Sequence, residues 1–408
     1  MKVRTDEQLE YVLDRVFDTA RVTDYEGWSK HDALNAPWLE RLAGRSRARR
    51  LVATQSVMRS PLDVRRLARV KRARNAKGLS LFARALLARY RVTGSEDDAQ
   101  EATGLLDWLV EHPSPATGPD GSLPGVAWGY PYPWQDVGFF APRHFPNRVV
   151  TSFVGQALLD SYGTLGHQRH LDAASGAVEF LVTAPTTLFE DERHRCVSYV
   201  PDPAVTWIVM DVSVLSGALA ARLAALNGDA ALMEEAGRLV RYVVSKQTTD
   251  GAWFYADPPS ASHITHDNYH TGFILDAIAG YTDASGSDEF VAAYDNGLDF
   301  YRDRLFQPDG AARFMSDQRW PVDIHGCAQG IITFSLQQQR EGRGGEMADR
   351  VLDWTMANMW DPRSGWFSYQ KRRGIRTNIR ELRWCQAWMS WALALRLETR
   401  RVTQEADR

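Results

Sequence analysis

The amino-acid sequence predicts an all-α fold, a single (α/α)6 helical toroid spanning residues 1–408 with short strands in its rim loops. Three observations predict it. Six segments share one form, a polar cluster running into an apolar stretch rich in Ala and Leu, and they begin near Asn75, Asn147, Asp211, Asp267, Asp323 and Glu381. Successive starts are 56 to 72 residues apart, which leaves room for two helices and two connections per repeat. Between them lie segments that read as more exposed helices, at 97–110, 230–247, 288–305 and 346–358. These end in similar turns, Asp250-Gly251, Asp309-Gly310 and Ser364-Gly365, and the aromatic residues that follow read as short strands over the core.

The first helical periodicity falls at 5–20. A stretch containing Trp28, Lys30 and Trp38 follows. Between Gly44 and Lys77 there are then twelve Lys or Arg residues and a single acid, Asp63. Such a run is either a solvated helix face or a patch for anionic lipid headgroups or an anionic glycan. Elsewhere the charge is balanced. The net charge of -3 predicts no nucleic-acid partner. Cys196, Cys327 and Cys385 are too scattered for a disulfide framework or a zinc site. The N-terminal stretch has no apolar core of a signal peptide, and the most apolar run, 205–226, contains Asp211 and Arg222. It therefore reads as a buried helix, and the expectation is a cytoplasmic protein, peripheral at the membrane if the basic patch binds lipid.

Aromatic residues are abundant, with 14 Trp, 14 Tyr and 16 Phe. Two long loops carry little helical signal, 113–146, which is dense in aromatic residues, and 184–210, which contains Tyr199 and Trp207. Trp128, Tyr130, Tyr132 and Trp134 read as a platform on which a sugar ring stacks, or as a lid over the core.

The chemistry centres on His266-Asp267-Asn268-Tyr269-His270, which runs directly into Thr271-Gly272-Phe273-Ile274. Asp267 or Asn268 is placed to cap the helix that follows, and the cap gathers ionisable groups at the helix mouth. In a toroid the repeat carries the equivalent mouths to one rim. The expected site therefore combines His266, Asp267, Tyr269, His270 and Asp211 as catalytic groups. Trp128, Tyr130, Trp134, Gln135, Arg143, Asn147, His325, Tyr369, Arg383, Gln386 and Lys77 are expected to bind substrate. Two mechanisms fit this set. Paired carboxylates such as Asp211 and Asp267 flank a glycosidic bond, or a base and an acid exchange the C5 proton of a uronic acid whose carboxylate is neutralised by Arg383, Lys77 or Arg143. Metal ligation by His263, His266 and His270 lacks a third ligand at the usual spacing, and no phosphate loop or nucleophilic Ser elbow is present, so no cofactor is expected.

Arg383-Trp384-Cys385-Gln386-Ala387-Trp388 resembles the Arg-Gly-Gln-Ala-Trp signature of unsaturated glucuronyl hydrolases, departing from it at Trp384-Cys385. Together with Trp128-Gly129-Tyr130-Pro131 and Asp267-Asn268-Tyr269-His270-Thr271-Gly272, it is similar to toroidal proteins of polysaccharide and archaeal N-glycan assembly, among them glucuronyl C5-epimerases. The resemblance implies an enzyme acting on a polymeric or lipid-linked oligosaccharide. The alternatives are a glycoside hydrolase or lyase and a non-catalytic toroid that binds glycan or isoprenoid.

Overall fold

The computed structural model describes residues 5–60, 62–117 and 123–406. Positions 118–122 of the first long loop and the first four residues lie outside the described residues. In chain order the helices are α1 (Asp6–Arg21), α2 (Pro37–Ala43), α3 (Arg47–Arg59), α4 (Ala76–Thr93), α5 (Glu96–Glu111), α6 (Arg148–Leu165) and α7 (Gln168–Thr183). They continue as α8 (Met210–Asn227), α9 (Ala230–Val244), α10 (Asn268–Ser285), α11 (Val291–Leu305), α12 (Ile324–Glu341), α13 (Gly345–Asn358) and α14 (Trp388–Ala406). Among the described residues, no helix is long and apolar enough to cross a membrane.

The chain divides into two compact units. One consists of Met1–Leu109, Gly129–Phe145 and Trp320–Arg408, the other of Val110–Trp128 and Pro146–Arg319. In the first, α14 packs between α4 and α12, with α1 on α14 and α13 on α12. In the second, α8 packs between α6 and α10, and α7, α9 and α11 cover them.

The central helices are defined at both ends by local chemistry. α4, α6, α8, α10 and α12 are each 18 residues long. Four begin at the polar residue expected: Asn75, Asn147, Asp267 and Asp323 accept a backbone N–H from the first turn of α4, α6, α10 and α12. Each such cap contributes about 1 kcal/mol. Asp211 departs from the pattern and lies inside the first turn of α8, behind Val209. All five end at a left-handed glycine, Gly94, Gly166, Gly228, Gly286 or Gly342, whose N–H closes the last turn. The sixth repeat is different. Leu382–Ala387 form a π-helical turn before α14, so the Glu381 start carries no side-chain cap.

Short strands lie in the loops as the sequence predicts, but not always on the expected residues. Trp366–Phe367 pairs with Trp360–Asp361. After Asp250-Gly251 the strand is Ala256–Asp257, paired with Ile208–Val209, because Trp253 is drawn inward and donates its indole N–H to Val243 O at 2.9 Å. After Asp309-Gly310 isolated bridges form in place of a strand, Phe306 with Ala312, and Met315 with Gln318 and Asp267.

The second long loop is held from beneath by Arg148, fully buried in the first turn of α6. Its guanidinium donates to the carbonyls of Leu181, Ala184, Pro185 and Ser198 and to Ser198 Oγ, at 2.8 to 3.3 Å. Burial pushes its pKa down to about 9, which leaves it charged at neutral pH. Replacing Arg148 by Met strands these acceptors in a dry interior, and stability is expected to fall by about 3 kcal/mol. Urea unfolding measures the loss. A midpoint equal to that of the parent would remove Arg148 from this role.

Candidate functional site

In the second unit the site is built on the start of α10. Asp267 is the N-cap, and its carboxylate accepts the backbone N–H of His270 at 3.3 Å. The same carboxylate lies 2.9 and 3.0 Å from His270 Nδ1. The spacing is that of a capping box, with an imidazole in the place of the usual Glu or Gln. A carboxylate at Nδ1 selects the tautomer that carries its proton there, which makes Nε2 the basic nitrogen. The ring packs at 4.6 Å from Tyr255 and 4.3 Å from Tyr269, and both His270 and Tyr269 are half-buried. Tyr255 continues to His263 at 5.3 Å and Trp207 at 5.5 Å, giving an aromatic wall beside the imidazole. Asn268 anchors the helix start by donating to Leu305 O and accepting from the Tyr301 hydroxyl.

His266 faces other neighbours. Its ring packs on Phe254 at 4.4 Å and Phe300 at 5.4 Å, and burial lowers its pKa, so it is neutral at pH 7. Asp211 is buried on α8, and Asn147 is consumed as the cap of α6, accepting from Val150 N at 2.7 Å.

The first unit holds a cluster of cations on aromatic faces. Arg383 is buried, donates Nε–H to Ser29 Oγ at 2.8 Å, and lies 5.3 Å from the Tyr130 ring and 5.2 Å from Trp384. Lys30 Nζ stands 3.9 Å from the Trp384 ring and 5.7 Å from Tyr369. Lys77 Nζ is 5.1 Å from Trp388. His325 is packed by Trp384 at 4.5 Å and Trp388 at 4.2 Å. Tyr130 stacks on Tyr132 at 5.5 Å and meets Trp134 edge-on at 5.4 Å. Asp323 closes the cluster, accepting from Trp384 Nε1, Gln370 Nε2 and the backbone N–H of His325, with Lys30 Nζ at 3.9 Å.

Beneath this cluster lies an ion triad. Arg65 is fully buried, with Nε 2.9 Å from Asp32 Oδ1 and Nη2 2.6 Å from Glu381 Oε1. Among the described residues, Glu381 Oε2 and Arg65 Nη1 are buried without a hydrogen-bond partner.

No family model and no curated protein sequence matches the chain. Solved structures do. A cellobiose 2-epimerase from Bacillus thermoamylovorans superposes with a TM-score of 0.59 at 12% identity, over 80% of this chain and 88% of that one. An unsaturated glucuronyl hydrolase specific for heparin matches with 0.58 at 11%, over 82% and 89%. A family 88 glycosyl hydrolase from Bacteroides vulgatus matches with 0.60 at 10%, over 97% and 99%. These neighbours are six-hairpin toroids. This chain has the (α/α)6 fold.

Within that fold, several residues expected to bind substrate are occupied by the protein itself. Trp128 is fully buried, so its ring offers no face to a sugar, and its backbone N–H donates to Thr151 Oγ1. Gln386 donates to Thr19 Oγ1 and Gly365 O and accepts from Phe367 N, which uses its whole amide as a structural brace. Gln135 donates to Asp136 O and Phe139 O across the turn between Trp134–Gln135 and Phe140–Ala141. Arg143 Nη1 donates to Asn35 Oδ1 and Pro131 O. Arg65, one of the twelve cations of the basic run, is neither on a solvated face nor in a surface patch but in the triad.

The sequence reading also passed over His31 and Asp32. His31 lies 5.8 Å from Trp134, and burial, reinforced by the charges of Lys30, Arg383 and Arg65, holds its pKa well below the usual value, so it is neutral. The available signal was the run Ser29-Lys30-His31-Asp32, four polar residues between two tryptophans.

Burial pushes the Glu381 carboxyl up to about 7, against the pull of Arg65 and Lys30. Its ordinary value is 4.5, so between that pH and about 7 the folded state holds a proton that the unfolded chain has released. Stability from this group is full below the lower value and is lost as pH rises through the window. Glu381→Gln abolishes the dependence. The parent is therefore expected to lose stability relative to the variant between about pH 5 and pH 8, on the order of 3 kcal/mol for a shift of this size. Unfolding curves at the two pH values check it, and parallel behaviour of parent and variant refutes it.

Proposed function

We propose that this chain is a carbohydrate-active enzyme that moves a proton at a sugar carbon, with His270 as the proton-transfer group. The observation that carries the reading is the pair of contacts from the Asp267 carboxylate to His270 Nδ1. A general base on carbon needs a neutral imidazole in a defined tautomer, held in one orientation, and the carboxylate supplies both. A glycoside hydrolase needs two carboxyl groups directed at the glycosidic bond. Asp267 is committed to His270 and to the helix end, which favours proton transfer over hydrolysis. The cellobiose 2-epimerase among the structural neighbours supports the same class.

The proposed substrate is a uronic acid residue, epimerised at C5. His270 Nε2 takes the C5 proton, Tyr269 assists, and a proton returns to the opposite face. The C5 proton is acidic enough only when the adjoining carboxylate is neutralised, so the substrate carboxylate must be paired with a cation when the proton is taken. The heparin-specific unsaturated glucuronyl hydrolase among the neighbours supports uronate as the sugar class.

The test is NMR of a glucuronate-containing oligosaccharide incubated with the protein in deuterated water. Deuterium at C5 without chain cleavage is expected. New reducing ends without exchange would replace the proposal with a hydrolase and move attention to Asp211. His270→Ala is expected to abolish exchange while leaving the thermal unfolding midpoint in place. Asp267→Asn, which loses the charge that selects the tautomer, is expected to slow exchange by about 100-fold. Unchanged exchange in His270→Ala would remove this residue from the mechanism.

A further inference from the structure

We infer that the first unit carries a second saccharide site, a cleft between Trp28 and Trp366 that binds an anionic sugar through Arg72 and Arg380. The inference rests on the reading of the protein as a glycan enzyme for the nature of its ligand, and on separate residues for its geometry.

The cleft has a volume of ≈ 320 Å³ and is lined by residues from the end of α1, the Glu26–Trp28 stretch, the turn at Ser364–Trp366 and Arg380. That is the small end of the range for ligand sites, room for about one or two sugar residues. Its walls are built rather than incidental. A Cβ at Gly27 would fall 2.3 Å from Leu382 Cβ, so only glycine lets this stretch lie against the π-helical turn. Gly365 turns with φ +71° and approaches within 3.0 Å of Arg15 O at the position a Cβ would take. Gln386 ties the two walls, donating to Thr19 on one side and to Gly365 O on the other. The amide that the sequence suggested for substrate thus braces this cleft.

The chemistry of the lining suits an acidic sugar. Arg72 lies over the Trp28 ring at 4.6 Å and Arg380 over Trp366 at 5.5 Å. The Trp28 ring is itself fixed, donating Nε1–H to Val70 O at 2.9 Å. A guanidinium stacked on an indole keeps its N–H groups at the edge, where a carboxylate or sulfate can accept two of them. Both indoles are half-buried, so each offers part of a flat apolar surface to the C–H face of a sugar. Arg15 adds a third cation. Among the described residues its Nε is buried without an acceptor, and its guanidinium makes a loose ion pair with Asp18 at 4.0 Å. Thr19 and Ser364 supply hydroxyls. Asp18 and Glu26 also line the cleft, so three cations stand against two carboxylates, and the two guanidiniums stacked on the indoles are the groups that select a charged saccharide over a neutral one.

The experiment is calorimetric titration of the full chain carrying His270→Ala, which prevents turnover, with a glucuronate-containing hexasaccharide. Cellohexaose and adenosine monophosphate serve as the neutral and the nucleotide probe. Adding Arg72→Ser and Arg380→Ser, both at exposed positions, is expected to remove one binding component or to weaken it at least tenfold for the uronate hexasaccharide. Trp366→Ala is expected to do the same, and the two serine substitutions stand alone if that variant unfolds. No binding by the parent, binding indifferent to Arg72 and Arg380, or tighter binding of cellohexaose or the nucleotide overturns the inference. Exchange at C5 is measured separately in the chain with His270 intact. Exchange with indifferent binding refutes the cleft and leaves the enzyme. Binding that depends on Arg72 and Arg380 without exchange refutes the enzyme and leaves the cleft.

Discussion

The first unit depends on one buried guanidinium. Arg65 meets Asp32, 33 positions before it, and Glu381, 316 positions after it. Removing three charges from water costs several kcal/mol per ion, and the cost is recovered only while the partners hold one another at hydrogen-bond distance. The arrangement is therefore cooperative: loss of one member leaves the others charged and dry. What the triad positions is more important than what it contributes to stability. Lys30 and His31 immediately precede Asp32, and Arg383 follows Glu381 by two residues in the π-helical turn. Two cations of the aromatic cluster, Lys30 and Arg383, thus sit within two residues of a member of the triad.

The chain builds with arginine throughout. It contains 42 Arg and 6 Lys. Arg65 joins two carboxylates, Arg148 gathers four carbonyls, and Arg89 bridges Asp14 and Asp98. The planar fork of the guanidinium satisfies several acceptors at once and stays charged under burial, which a lysine ammonium does not do. The basic run between Gly44 and Lys77 divides accordingly: Arg65 and Lys77 are interior, while eight of its twelve cations, Arg72 over Trp28 among them, are exposed.

The helical repeat was legible because its signals are local. A polar cap, an apolar run and a terminal glycine all fall within a window of about twenty residues, and each has its own physical cause. The Asp267–His270 pair was legible for the same reason, since three residues on a helix end bring two side chains together. What the sequence concealed depends on contacts between distant segments. The burial of Trp128, the bracing role of Gln386 and the triad all rest on partners that no spacing announces. Asp211 lies two positions past the cap, which the sequence concealed because a polar residue before an apolar run looks alike as a cap and as a first-turn residue. The π-helical turn was hidden too, because its six residues have the same apolar character as a regular helix start.

The glycine caps have a consequence for how this architecture tolerates change. At the capped end of five helices the chain turns through a brief, largely exposed connection: Gly94-Ser95, Gly166-His167, Gly228-Asp229, 286–289 and 342–344. At the opposite end the connections are long and carry the strands, the aromatic walls and the ionisable groups. New termini, tags or inserted sequence placed at the glycine side leave intact the helix already finished by its cap, with Asp229, which caps α9, and Glu289, which pairs with Arg241, the positions to spare. Sequence drift on that side is nearly silent. At the far ends the same change disturbs chemistry, so each hairpin separates the part of itself that is free to vary from the part that is not.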